Sequence, residues 1–302
     1  MTTPMLFERQ KRLLVLLDAV GGRVGNLDFQ KLLFLYCQEV GSSPPYEFVP
    51  YKFGAFSFTS YADRRKLIEH DLLQDDEQTW QMTARARTMV RGMRGVRDLL
   101  RAFVERYRGL TGDALVAETY RRYPYFATRS EIADRILRGD AAALKRIDAA
   151  RRTSKAGPVS TIGYEGHTIE SYLNRLIRAN VSLLCDVRRN PISRKYGFSK
   201  STLARACEGV SIRYEHVPEL GIASEKRQTL NTQTDYDALF REYERDELPH
   251  QRPALEKLRQ WVERGERIAL TCYERLPQQC HRHCIAEALV EEFGANFIAV
   301  NL

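Results

Sequence analysis

The chain has 302 residues, 43% hydrophobic and 28% charged, with a net charge of +8. That length fits two ordinary domains, and the composition is that of a globular protein. No run of about 18 apolar residues exists, so no membrane span is expected. The opening MTTPMLFERQKRLLVLLDAV lacks the order of a signal peptide, which predicts a cytoplasmic protein. The six cysteines are few and fall in predicted core elements, which fits reduced thiols and not a secreted disulfide framework.

The charge is uneven. Residues 1–157 hold 27 Lys/Arg against 19 Asp/Glu, and residues 158–302 hold 20 of each, so the first half carries the whole excess. A basic module joined to a neutral one suits an enzyme that grips nucleic acid with one part and does chemistry with the other. Solubility alone is the competing explanation.

In chain order, Leu6, Leu13, Leu14, Leu16, Leu17 and Val20 recur at helical spacing, and Gly21-Gly22 ends that helix. Asn26 or Asp28 caps a second helix over Phe29–Val40, which Gly41–Pro45 breaks. The aromatic-rich 46–58 predicts one extended piece, 60–70 a helix, and Leu72–Met82 a ribbon with Trp80 on its return strand. Three helices and then a ribbon is the order of a winged-helix module. Residues 1–85 resemble the winged-helix-like modules of prokaryotic regulators and mobile-element proteins, which suggests a role against foreign DNA. Within 86–157, Arg87, Arg91, Arg94, Arg97 and Arg101 recur at three- and four-residue steps on one helical face. This stripe is expected to track a DNA backbone, although a charge run is more often a solvated face. Helices follow over Thr111–Tyr123, from Ser130, and over Ala141–Arg152, and Thr153–Pro158 reads as a linker.

From 158 to 302 the pattern is α/β. Strands are predicted at Val159–Ile162, Val181–Val187, Ser211–Val217, Arg267–Cys272 and Ala295–Asn301. Helices are predicted after Thr168 and over Ser199–Glu208, Asp235–Asp246, Pro253–Arg264 and Cys280–Phe293. The nearly continuous apolar run VSLLCDV fits a strand buried on both faces of a mostly parallel sheet.

The motifs TIGYEG, LLCDVRRNPISR, YEHVPELG and LTCYERLPQQCHRHCIAEAL, in this order and spacing, resemble the prokaryotic "domain of unknown function 488" family over about 159–290. The resemblance implies a compact α/β domain whose motif residues gather at one end of its sheet. Two recurring features of the family are present, Asp186-Val187-Arg188 after a strand and Cys280-His281-Arg282 at a helix start. His283-Cys284 is a departure from the pattern.

The reactive groups are expected beyond the carboxyl ends of the strands, where α/β proteins bind ligands. Asp186 and Glu274, from two strand ends, would be the carboxylates of a glycosyl cleavage with a cationic transition state. For Asp186 the competing role is to cap its turn and pair with Arg188; for Glu274 it is a solvent-facing turn position. Glu165 and Glu219 rank below them. Arg188, Arg189, Arg194, His281 and Arg282 would hold anions, the last two at a helix start. Tyr164, Tyr196 and Tyr273 add aromatic faces that suit a stacked base. Cys272, Cys280, His281, His283 and Cys284 invite a zinc reading, but paired C-x-x-C knuckles are missing and His283 and Cys284 fall partly on a helix with divergent directions, so no metal and no cofactor are expected. Cys272 or Cys280 as a nucleophile ranks lower because the Cys-x5-Arg loop is absent. No glycine-rich nucleotide loop and no carboxylate cluster for a two-metal nuclease is visible.

These residues point to a DNA glycosylase that everts a nucleotide from duplex DNA and hydrolyses its N-glycosidic bond without metal. A DNA-binding regulator with a ligand-sensing α/β half and a nuclease or phosphoesterase are the alternatives. No protein partner is implied.

Overall fold

A computed structural model describes residues 4–39, 43–151, 157–227 and 230–302, with the backbone alone for 94–99. The chain divides into two compact units, Met1–Arg152 and Thr153–Leu302.

The first unit is mainly helical. Helix α1 (Glu8–Ala19) buries Leu13, Leu14, Leu16 and Leu17, the residues whose spacing marked it. It stops where Gly21 and Gly22 take positive φ, a conformation glycine adopts without a steric penalty. Strand β1 (Arg23–Gly25) and helix α2 (Asn26–Glu39) follow. The predicted end of α2 at Val40 lies outside the described residues. The aromatic stretch holds two short strands, β2 (Val49–Tyr51) and β3 (Gly54–Phe56), paired as a hairpin, where one extended piece was expected. Helix α3 (Phe58–Glu69) is capped by Ser57, whose Oγ accepts from the Ser60 N–H at 3.3 Å.

Strand β4 (Thr79–Gln81) corrects the predicted ribbon. Its ladder partner is β1, with Val24 opposite Trp80, and only a single bridge joins Leu73 to Met82. The reason is packing: Trp80 is buried with its ring 4.7 Å from that of Phe29 on α2, which draws β4 toward the start of the chain.

The basic stretch is two helices, α4 (Ala84–Arg91) and α5 (Arg94–Tyr107), separated at Gly92-Met93, so its arginines do not form one continuous stripe. Arg87 and Arg91 are exposed on α4 and Arg101 on α5; the side chains of Arg94 and Arg97 lie outside the described residues. Both helices share the core of the first 85 residues, through Ala86, Val90, Leu100, Phe103 and Tyr107. Helices α6 (Gly112–Arg122), α7 (Ala133–Ile136) and α8 (Ala141–Ala150) complete the unit around Val116, Tyr120, Leu137 and Ile147.

One core residue of this unit gave no sign in the sequence. Lys31 on α2 is buried, and its Nζ donates to the Ala55 carbonyl at 3.0 Å. Burial pushes its pKa from 10.5 down to about 7. The unfolded chain then binds a proton that the folded chain lacks between these two values, so stability rises with pH across that window and is flat below it. The gain expected between pH 7 and pH 9 is roughly 2 kcal/mol. Urea titrations followed by Trp80 fluorescence, in a variant that lacks the other tryptophan, check it. Lys31→Met should abolish the slope; a flat wild-type profile would contradict the assignment.

The second unit is an α/β layer structure. Its strands are β5 (Val159–Gly163), β6 (Leu183–Asp186), β7 (Arg213–His216), β8 (Ile268–Cys272) and β9 (Ala299–Asn301). They form one five-stranded sheet in the order β7-β6-β8-β5-β9, with every pairing parallel. Helices α9 (Ile169–Arg178), α10 (Lys200–Gly209), α11 (Gln233–Glu242), α12 (Arg252–Glu263) and α13 (Arg282–Phe293) make the crossovers. Parallel strands covered on both faces must be apolar along their length, and β5, β6 and β8 are buried at every position. Helix α9 turns Ile169, Tyr172, Leu173, Leu176 and Ile177 inward. Leu255, Leu258, Ile285 and Leu289 of α12 and α13 join Leu183, Ile268 and Leu270 in a core cluster. Helix α13 starts two residues later than predicted because a 3-10 turn, Pro277–Gln279, precedes it. Among the described residues no helix is long and apolar enough to cross a membrane.

Candidate functional site

The order of the strands decides where the site is. Strand β8 lies between β6 and β5, so three central strands end side by side, with Asp186 level with Thr271 and Gly163 level with Cys272. The loops that leave these ends line a crevice of about 450 Å³. Asp186-Val187-Arg188 and Cys280-His281-Arg282 meet at this same end, joined by the hydrogen bond that His281 Nε2 donates to the Val187 carbonyl at 2.9 Å.

Asp186, the last residue of β6, is completely buried. Its Oδ1 accepts from Arg188 Nε at 2.8 Å and from the Arg188 N–H at 3.2 Å. Its Oδ2 accepts from Arg188 Nη2 at 2.5 Å and from the Tyr214 hydroxyl at 2.5 Å. Both oxygens are therefore taken, and Asp186 is not among the residues that line the crevice. This departs from the direct catalytic role expected for it and matches the turn-capping, arginine-pairing alternative. Arg188 is held in turn: its Nη1 donates to the Tyr164 hydroxyl at 3.0 Å and to the Phe198 carbonyl at 2.9 Å. Burial alone would lower the Arg188 pKa, but the paired carboxylate overrides it and the net direction is upward. Burial and the Asp186 charge together raise that of Tyr214.

Glu274 occupies the crevice wall in the turn after β8 and pairs with Arg227. Its Oε2 lies 3.3 Å from Cys272 Sγ. Two neighbours fix this turn. A Cβ on Gly163 would stand 1.8 Å from the Glu274 carbonyl oxygen, so only glycine lets the turn pass over β5. Arg282 is buried and donates from Nη1 to the Glu274 carbonyl at 2.5 Å and from Nη2 to the Arg275 carbonyl at 3.0 Å.

The remaining predicted residues divide. Arg189, Arg194 and Tyr273 line the crevice and are exposed, and Tyr164 lines it from a buried position. The Tyr164 ring stacks on Phe198, with centroids 4.4 Å apart and planes 9° apart. His281 and Arg282 are buried behind the wall and bind backbone carbonyls, so they serve the architecture of the turn and not the crevice surface. Tyr196, Glu165 and Glu219 are not among the lining residues; Glu165 Oε2 instead accepts from the Arg275 N–H at 3.0 Å. The sequence reading missed Arg227 and Tyr214. Both lie far along the chain from the groups they touch; Tyr214 opens the YEHVPELG motif, which was the available signal, and no local pattern sets Arg227 apart.

Cys272 closes the floor. Its sulfur, that of Cys280 and the His281 ring nitrogen Nδ1 lie within 4.8 Å of one another, all three residues buried. A hydrogen bond from Cys280, opposed by burial and aided by His281, holds the Cys272 thiol well below its ordinary pKa; burial raises that of Cys280. Cys284 stands apart from this trio, with its sulfur 3.5 Å from His283 Nε2. Cys185 and Cys207 are buried thiols of the core.

The crevice thus presents guanidinium groups, one carboxylate, an exposed tyrosine and a thiol at its floor. No curated protein and no solved structure matches the chain. One family does: residues 168–289 match the "Domain of unknown function DUF488", a span that holds α9 through most of α13 and four of the residues discussed above as the wall and floor, Arg188, Arg227, Cys272 and Glu274. Over that span, within its C-terminal half, the chain is similar to the DUF488 family.

Proposed function

We propose that the protein is a DNA glycosylase that hydrolyses the N-glycosidic bond of a nucleotide everted into the crevice of its C-terminal unit. The observation that carries this reading is the placement of Glu274, a carboxylate on the wall, among Arg188, Arg189, Arg194 and Arg227 and beside the exposed ring of Tyr273. Exposed guanidinium groups suit the phosphates that flank an everted nucleotide. An exposed tyrosine suits the face of a base. Glu274 replaces Asp186 as the group that reaches the sugar. Its negative charge stabilises the oxocarbenium-like transition state. A water oxygen bonds to the anomeric carbon as the C–N bond breaks, and the departing base takes the bond's electron pair and a proton. The first unit would grip the duplex. The exposed Arg87, Arg91 and Arg101 support that role, as does the succession α1, β1, α2, α3 and β4 for a winged-helix-like reader.

The test is to incubate the full chain with plain and with base-modified duplexes, identify released bases by mass spectrometry, and cleave the products in alkali. Free base with alkali-labile sites is the expected result. Glu274→Gln should lower the rate by about 100-fold or more while duplex binding persists. Strand breaks that precede alkali treatment would instead identify a nuclease. Unaltered DNA with tight, salt-sensitive binding would identify a regulator and overturn the proposal.

A further inference from the structure

We propose that Cys272, Cys280 and His281 bind one zinc ion through Cys272 Sγ, Cys280 Sγ and His281 Nδ1, with the fourth coordination position open to the crevice beside Glu274. The inference concerns metal binding and stands whether or not the chain cleaves a glycosidic bond. It replaces the sequence expectation of a metal-free centre. Spacing concealed the site because its ligands do not form a paired C-x-x-C knuckle. One thiol ends β8, and the other two ligands stand at the entry to α13 after a turn.

Distances agree with one tetrahedral ion. Zinc–sulfur bonds of about 2.3 Å and a zinc–nitrogen bond of about 2.0–2.1 Å set nitrogen and sulfur about 3.6 Å apart at the tetrahedral angle. His281 Nδ1 lies 3.8 Å from Cys272 Sγ and 4.0 Å from Cys280 Sγ. A contraction of a few tenths of an ångström brings the nitrogen to the right distance from both sulfurs, which lie within 4.8 Å of each other. The imidazole is already oriented: Nε2 donates to the Val187 carbonyl, which leaves the lone pair on Nδ1 directed at the two sulfurs. A backbone carbonyl on the far nitrogen is the usual outer partner of a zinc-bound histidine.

Charge gives a second argument. Two thiolates and Zn²⁺ sum to zero, which suits a site in which all three residues are buried. Access gives a third. Cys272 and Glu274 both line the crevice, with Glu274 Oε2 3.3 Å and Arg227 Nη1 4.0 Å from Cys272 Sγ, so the ion would lie just beneath the crevice floor with a carboxylate and a guanidinium beside it. Two cysteines, one histidine and an open position is a donor set that zinc takes in catalytic sites.

The experiment uses the full chain expressed with zinc and purified without chelator. Elemental analysis and native mass spectrometry should find one zinc per chain. Cobalt exchanged into the protein should give the visible absorption of a tetrahedral site and a thiolate charge-transfer band. Cys272→Ser, Cys280→Ser and His281→Ala should each weaken zinc by more than about 100-fold, beyond the cost of losing an outer-shell partner. Cys284→Ser should retain the metal. Where a variant fails to fold, the cobalt spectrum of the wild-type protein decides. Reduced, folded wild-type protein that takes up no zinc on titration would overturn the proposal. So would a Cys272–Cys280 disulfide whose reduction restores no zinc binding, or full metal content in the Cys272 and Cys280 variants. Metal content is read without DNA and base release without a metal assay, so failure of one reading is distinguishable from failure of the other.

Discussion

Asp186→Asn is expected to destabilise the C-terminal unit by about 3–5 kcal/mol, because it leaves the Arg188 guanidinium buried without its counter-charge. The pair is bidentate and closed off from solvent, with Asp186 completely buried and Arg188 nearly so. Loss of one partner costs more than the pair contributes, since the remaining charge keeps its desolvation penalty. The two tryptophans, Trp80 and Trp261, lie one in each unit, so a Trp80→Phe background reports the C-terminal unit alone by fluorescence. The urea midpoint should fall sharply for Asp186→Asn. The double variant Asp186→Asn/Arg188→Met should lose less than the two single changes together, because both charges are then gone. A double variant that loses the full sum of the two single changes, or no loss in Asp186→Asn, would show that the pair does not hold this unit together.

Arg282→Met is expected to cost about 2–4 kcal/mol, from two charge-assisted bonds to the Glu274 and Arg275 carbonyls. The larger consequence is local. The turn that carries Glu274 would lose its tether to α13 and be left with its passage over Gly163, the bonds that Glu165 makes to Tyr273 and Arg275, and the pairing of Glu274 with Arg227. Hydrogen exchange at the amides of Glu165 and Arg275 should speed up by about 10-fold or more. Arg282→Lys should not restore protection, because one ammonium lacks the planar fork that spans two carbonyls. Unchanged exchange in Arg282→Met would show that the turn holds itself.

How much of this was legible in the sequence differs by level. The parallel sheet was readable because strand patterns alternate with helical ones and the VSLLCDV run around β6 is nearly continuously apolar, the mark of a strand buried on both faces. The convergence of Asp186 and Cys280-His281-Arg282 at one end was readable from motif order. The roles within that end were not. Asp186, His281 and Arg282 look like surface chemistry in one dimension, but each faces inward, toward Arg188, the Val187 carbonyl and the Glu274 carbonyl respectively. Burial of a polar group depends on its partners, and those partners are set by the fold. Arg227 and Tyr214 show the converse: Arg227 lies outside the quoted motifs and Tyr214 opens one without being marked as a site residue, yet one pairs with Glu274 and the other with Asp186. Trp80 is a third case. Its strand was anticipated, but its mate was sought next to it and lies more than fifty residues earlier.

The late arrival of β8 has a consequence for how this protein is made. Strand β5 emerges from the ribosome with no mate, and neither of its neighbours, β8 and β9, exists until more than a hundred further residues have been translated. Strand β6 finds β7 soon after, yet its other edge also waits for β8. A nascent chain that stalls before Ile268 therefore exposes both edges of β5 and one edge of β6, which invites intermolecular pairing. Synthesis that slows within this interval should yield aggregate, and release should yield the soluble fold only once the final insertion zips the sheet shut.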